Sequence, residues 1–245
     1  MTTPNGKPSS PLRAPPHILA LLERLHTLSL AQEPETNQAI SGLLELRKRD
    51  PAEGTRALNK LMSDKFVALD KEKCEFVYQL ILSTGAKNVV EAGTSYGVST
   101  IYLALAVGQN FPGGEGGGGE EDQGKVIATE NEPEKISRAK GYWQEAGEAV
   151  TRHVELREGD LLTTLQKDLP EIDLLLLDIW TPLALPTLKL VQPHMRRGTV
   201  VVTDNTVSAG PLYEDFLQYV NDPDGPFRSL TLPYSGGLEL SVFMP

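Results

Sequence analysis

The run Val89 Val90 Glu91 Ala92 Gly93 Thr94 Ser95 Tyr96 Gly97 Val98 Ser99 constrains this chain more than any other stretch. It places an apolar strand, an acidic residue, a glycine turn and a helix start in immediate succession. That is the junction of a strand with a crossover helix in a parallel sheet. Gly93 and Gly97 let the backbone reverse, so that N–H groups can approach a ligand at the mouth of a helix expected over about 96–107. A dinucleotide fingerprint would need glycine at 93, 95 and 98, and here Ser95 and Val98 stand instead. A pyrophosphate cradle, and with it a nicotinamide oxidoreductase, is disfavoured. An adenosyl ligand without phosphates fits the turn better.

From Lys87 onward, short β-branched or leucine runs alternate with amphipathic stretches, the parallel α/β pattern. Strands are expected at 88–91, 126–130, 153–157, 174–178 and 199–203, with helices at 133–146, 161–168, 183–195 and 211–220 between and after them. Two final strands, 228–232 and 238–243, flank the turn signal Tyr234 Ser235 Gly236 Gly237 and are expected to form an antiparallel hairpin. The fold class is therefore α/β, a Rossmann-like sheet of seven strands, mostly parallel with an antiparallel C-terminal pair. Ahead of it, helical spacing predicts helices at 17–31, 36–49 and 55–66, and Asp70 reads as the N-cap of a helix over 71–84 closed by Gly85.

With 245 residues and 40% apolar content, the chain can bury one sizeable core. One domain over 17–245 is expected, with 17–66 as a helical cap. Residues 1–16, rich in proline and serine, read as a disordered tail. The stretch 108–124 holds many glycines, but its four carboxylates would repel a phosphate and no lysine counters them, so it reads as a flexible insertion. A net charge of -10 argues against nucleic acid or an anionic membrane as partner and leaves a small molecule as the default. The single cysteine, Cys74, excludes an internal disulfide and reads as a packing residue. The N-terminus lacks the apolar segment of a signal peptide, and no apolar run approaches the roughly 20 residues of a membrane span, so the cytoplasm is the expected address.

A second acidic residue should close the next strand to hold ribose hydroxyls, about 20 residues past the glycine turn. Glu130 lies 39 residues after Glu91, which becomes 22 once the 17 residues of 108–124 are set aside. Asp160, following Gly159, sits either at the same crevice or simply as the N-cap of the helix after it. Asp178 ends the fourth strand, and Asp204 with Asn205 ends the fifth, so three oxygen donors converge at the carboxyl edge. Hard donors of this kind suit Mg²⁺ or a similar divalent cation, unless the two aspartates merely cap the helices that follow.

The Glu91 to Ser99 block, Ala128 Thr129 Glu130, Leu176 Leu177 Asp178 Ile179 Trp180, and Arg197 Gly198 Thr199 followed by Thr203 Asp204 Asn205 together resemble the class I S-adenosylmethionine-dependent methyltransferases. More narrowly they resemble the metal-dependent O-methyltransferases that include the catechol and caffeoyl-CoA enzymes. The resemblance spans about 66–243. It implies that Leu69, Glu91, Gly93, Ser99, Glu130 and Asp160 surround S-adenosylmethionine, together with the rest of the turn (Thr94, Ser95, Tyr96, Gly97), Gly159 and Asp178. It also implies that Asp178, Asp204 and Asn205 hold the metal, that Asp178 lies at the catalytic centre, and that Trp180 and Asn205 meet the acceptor. The expected activity is methyl transfer to a hydroxyl of a small catechol-like aromatic.

One departure stands out. The family carries a lysine base just after the first metal aspartate, and here Thr181 and Pro182 follow Trp180. Lys189 and His194 are the nearest replacements, and Glu239 is the nearest stand-in for the carboxylate that orients a catechol. The missing lysine keeps open a protein that binds the cofactor without transferring a methyl group. The helices before Leu69 either cover the acceptor or join two subunits of a homodimer.

Overall fold

The computed structural model describes residues 9–63, 65–111 and 123–245. Most of the glycine-rich stretch and the first eight residues lie outside that description. The strands are β1 (Asn88–Ala92), β2 (Lys125–Glu130), β3 (Val154–Glu158), β4 (Ile172–Leu177), β5 (Met195–Asp204), β6 (Phe227–Leu232) and β7 (Leu238–Phe243). They form one sheet in the order β3-β2-β1-β4-β5-β7-β6. The first five run parallel, while β7 pairs antiparallel with both β5 and β6. The order reverses between β1 and β4, which opens a crevice beyond their carboxyl ends.

Strand alternation sorts the sheet's side chains into two cores. Val89, Val126, Leu174, Leu176, Val200 and Val202 face one layer, with Val77, Ile81 and Leu103 packed on them. Val90, Ile127, Leu175, Leu177 and Val201 face the other, against Leu188 and Phe216. The first layer consists of α3 (Lys71–Thr84), α4 (Val98–Asn110), α5 (Pro133–Ala146) and the short α6 (Glu148–Thr151). Across the sheet lie α7 (Leu161–Thr164), α8 (Ala184–Val191) and α9 (Glu214–Val220). Each helix begins close to its expected start, but α7 stops after one turn, and α8 gives way to a 3₁₀ turn at Gln192–His194.

The N-terminal region departs further from the periodicity. The expected helices 17–31 and 36–49 are one helix, α1 (Pro16–Arg49), followed by α2 (Pro51–Ser63). A mid-helix proline such as Pro34 costs about 3 kcal/mol by propensity, and here tertiary contacts outweigh it. Ile18, Leu21, Leu22 and Leu25 are buried in the first core. The returning chain also donates to α1, from the Phe66 N–H to Gln32 Oε1 at 3.2 Å and from the Ala68 N–H to Ser29 Oγ at 3.1 Å. Upstream of α1, Leu12 is buried and the Arg13 N–H donates to the Tyr78 hydroxyl at 3.3 Å, so the tail docks on the body before the helix starts. No helix among the described residues is long and apolar enough to cross a membrane.

Candidate active site

The glycine turn after β1 is built largely by Glu91 and Thr129. Glu91 is fully buried and its carboxylate accepts from three hydroxyls: Ser99 at 2.6 Å, Thr100 at 2.6 Å and Thr94 at 2.8 Å. Burial pushes its carboxyl above the ordinary value, and these three donors oppose the shift. Glu91 and Ser99 thus meet each other beneath the turn, stitching β1 to the start of α4. Thr129 closes the other side. Its Oγ1 accepts from the Gly93 N–H at 3.3 Å and donates to the Glu91 carbonyl at 3.0 Å. Gly93 has φ +92°, and a Cβ there would lie 2.1 Å from the Asp178 carbonyl oxygen, so only glycine lets β1 and β4 approach this closely. At Gly97, φ +75°, a Cβ would strike the Trp143 indole, whose Nε1 donates to the Gly97 carbonyl at 3.0 Å.

Glu130 stands where the spacing placed it, at the end of β2 beside the turn. Its Oε2 accepts from the Ser95 N–H at 2.8 Å, and its Oε1 from the N–H groups of Asn131 at 2.9 Å and Glu132 at 3.0 Å. Three backbone donors hold this half-buried carboxylate at the crevice, where its remaining lone pairs suit the vicinal hydroxyls of a ribose. The residues present therefore fit an adenosyl ligand. The neighbouring Gly159, φ +112°, ties its N–H to the Glu130 carbonyl at 2.9 Å. Asp160 takes the capping alternative, its Oδ1 accepting from the Leu162 N–H at 3.0 Å. Leu69 is buried in the first core, and Tyr96 stacks on Phe66 with centroids 4.5 Å apart.

Across the crevice, acids gather around a lysine that pattern reading passed over. Lys73, in the first turn of α3, is only 2% exposed. Its Nζ lies 2.7 Å from Asp204 Oδ1 and 3.1 Å from Asp70 Oδ2. Asp70 holds the N-cap position of α3 but makes no side-chain cap bond, because it serves this lysine instead. Burial opposes the ammonium charge, but the bonds to Asp204 and then Asp70 outweigh it and hold Lys73 above its ordinary value. The clue in the sequence was a lysine on the apolar face of a helix, beside the buried Cys74, Val77, Tyr78 and Ile81.

Asp178 continues the β1–β4 ladder through its N–H to the Ala92 carbonyl at 3.1 Å. Burial, then repulsion from Asp204 and Glu91, pushes its carboxyl up to about 8. Asp204 is also raised, by burial, although Lys73 pulls the other way. Two carboxylates and an amide beside one lysine form a hard-oxygen donor set with negative charge in excess, and that chemistry fits a divalent cation. The side chains as they stand are committed to one another, however. Asp204 Oδ1 takes Lys73, Asp204 Oδ2 takes Asn205 Nδ2 at 2.9 Å, and Asn205 Oδ1 accepts from Ser208 Oγ at 3.3 Å. Among the described residues no three His, Cys, Asp or Glu side chains are grouped to hold a metal ion.

The sequence-level substitutes for the family lysine do not reach this site. Lys189 is exposed on α8, with its Nζ 5.0 Å from the centre of the Tyr219 ring on α9, so it faces the outer helical layer. His194 precedes Met195 at the start of β5, the opposite end of the sheet from the crevice. Glu239, buried on β7, bonds to Thr231 at 2.5 Å and to Asn221 at 3.5 Å. It pairs in register with Thr203, one residue before Asp204, and strand alternation turns it to the other face. Cys74 packs as expected, its thiol donating to the Leu69 carbonyl at 3.3 Å and pushed well up by burial. Trp180 is half-buried beneath the guanidinium of Arg47 rather than sunk in a core.

Residues 90–206 match a family model described as a methyltransferase domain. This likeness, together with those to the proteins below, supports a class I S-adenosylmethionine-dependent O-methyltransferase. It is 29% identical over 175 residues to a catechol O-methyltransferase of Mycobacterium tuberculosis, covering 69% of each chain. It is 25% identical over 153 residues to the catechol O-methyltransferase of Niastella koreensis, covering 61% of this chain and 62% of that one, so the match leaves over a third of the latter's length unpaired. The O-methyltransferase of Bacillus cereus, solved in complex with SAH, superposes with a TM-score of 0.61 at 19% identity, over 89% of this chain and 99% of that one. This last likeness concerns the fold, and its mixed seven-stranded sheet is the one described above.

Proposed function

We propose that this methyltransferase binds S-adenosylmethionine at the β1–β2 side of the crevice and transfers its methyl group to a hydroxyl of a small, catechol-like aromatic held on the β4–β5 side. The observation that carries this reading is the meeting of two acidic centres at one sheet edge. Glu130, fixed by three backbone N–H groups, suits a ribose, and the Lys73-centred cluster of Asp178 and Asp204 lies across the switch point from it. When bound, S-adenosylmethionine supplies an electrophilic methyl on a sulfonium, and a divalent cation at Asp178, Asp204 and Asn205 would supply Lewis acidity toward an acceptor oxygen.

The chain's own residues do the positioning. Thr94, Ser99 and Thr100 lock the turn through Glu91, and the buried turn keeps water from its underside. Lys73 Nζ keeps its proton and holds Asp204 in place. Without a bound cation, burial and then the charges of Asp204 and Glu91 hold the Asp178 carboxyl at about 8, where it can exchange a proton near neutral pH. Thr181, in the place of the family lysine, cannot do so, and its buried Oγ1 has no hydrogen-bond partner. That substitution supports a second reading, a cofactor-binding protein without methyl transfer.

Calorimetry with S-adenosylmethionine, with and without Mg²⁺, followed by a methylation screen over vicinal diphenols, separates the two. Binding with turnover of at least one diphenol is expected. Tight binding with no methylated product from any acceptor would favour the second reading. Glu130→Ala should weaken cofactor binding by about 1–3 kcal/mol, the worth of charged hydrogen bonds.

A further inference from the structure

The last helical turn of α1 carries Arg47, Lys48 and Arg49. Lys48 pairs with Glu45 at 2.6 Å, but Arg47 has no ion-pair partner among the described residues. Its guanidinium carbon lies 5.9 Å from the centre of the Trp180 ring, and its Nη1 is buried without a hydrogen-bond partner. A buried, charged donor left unpaired costs about 1–3 kcal/mol or more, so an arrangement that retains one invites an acceptor from outside the chain. The backbone at this point is held firmly. Gly54 of α2 packs so close that a Cβ there would lie 2.4 Å from the Arg47 Cα, and Asp50 Oδ1 accepts from the Glu53 N–H at 3.0 Å to fix the corner between the helices. Trp180 follows Asp178 by two residues, so the guanidinium lies over the loop that leaves β4 just after Asp178.

We propose that Arg47 is the specificity determinant of the acceptor site and that the acceptor is a hydroxylated aromatic acid, its carboxylate taken by Arg47 while its ring lies against Trp180. The inference rests on the methyl-transfer reading for the role of the hydroxyl end, but not for the anion contact. The chemistry orients the acceptor in one way only. Under the methyl-transfer reading the Asp178 and Asp204 end takes the hydroxyls, and the planar guanidinium fork receives a carboxylate with two parallel hydrogen bonds. A chain of net charge -10 has little long-range attraction for an anion, so the selectivity has to be local.

Isothermal titration of the SAH-saturated protein in Mg²⁺ with 3,4-dihydroxybenzoate and with its neutral isostere 3,4-dihydroxybenzamide tests this directly. The wild-type chain should bind the acid about 10-fold or more tightly than the amide, Arg47→Met should abolish the preference, and Arg47→Lys should keep part of it. Equal affinities in the wild type, no measurable binding of the acid, or a preference that survives in Arg47→Met would overturn the proposal. Loss of melting temperature in Arg47→Met with the preference intact would show a structural pin and count against it equally. Arg47→Gln replaces Arg47→Met if the latter fails to fold. Failure of the methyl-transfer reading has a different signature, an acid preference that depends on Arg47 with no methylated product from either compound.

Discussion

Glu91, buried in β1, and Asp178, half-buried just past β4, are both raised above the ordinary carboxyl value, but their surroundings differ. Glu91 is surrounded by hydroxyls that turn their protons toward it, so three short hydrogen bonds offset part of its burial, and its carboxyl is still raised. Asp178 is surrounded by other carboxylates, with Lys73 as the nearest relief, and its carboxyl is driven up to about 8. The first arrangement spends its polar groups on holding a turn. The second keeps a charge imbalance at the crevice, the kind of environment in which a proton, a cation or a polar ligand can be exchanged. The difference lies in the company each acid keeps, because both are strand-end acids in the sequence.

The comparison breaks most severely at the lysine. Lys73→Met leaves Asp204 and Asp70 without their buried counter-charge and should cost about 3–5 kcal/mol, read as a fall in Tm on the order of 10 °C. Unchanged thermal stability would remove Lys73 from its assigned place. Glu91→Leu should cost about 2–4 kcal/mol, because three buried hydroxyls lose their acceptor, and denaturant titration would show a lower midpoint.

Asp178→Asn sharpens the contrast by changing stability in the other direction. The native carboxyl near 8 lies above its unfolded value near 4, so between those pH values the folded state binds a proton that the unfolded state releases. Wild-type stability therefore falls as pH rises through that window. The asparagine variant, measured without divalent metal, should be more stable than wild type by ~1 kcal/mol or more above pH 8, with the gain shrinking toward pH 4. A gain independent of pH would contradict the origin assigned to it. The smallest effect belongs to Lys189→Ala. Exposed and over Tyr219, it should shift stability by no more than about 0.5 kcal/mol and leave the rate of methyl transfer unchanged.

The sheet was the most legible part of the chain because its signals are local. Alternating apolar residues mark both faces of a strand, and Gly93, Gly97 and Gly159 mark positive-φ corners in the turns that follow β1 and β3. Each expected strand was found within about two residues at either end, apart from the early start of β5 at Met195. The cap was less legible. Pro34 and the polar residues around it are strong local break signals, and α1 runs through them because of contacts that come from α2 and the segment before α3. Among the site residues, Glu130 and Asp178 were readable from strand ends and spacing. Lys73 was not, because its partner Asp204 lies 131 positions away in the chain.

The sequence by itself determined the order of strands and helices, the glycine turn and the identities of the acids at the carboxyl edge, since backbone propensity and side-chain alternation act over a few residues. Only the tertiary structure decided which of those acids would be neutralised, by what, and which would stay strained. Electrostatic energy in a buried site depends on distances between groups far apart in the chain, and those distances exist only once α3 has packed against β5 and α1 has brought Arg47 over Trp180.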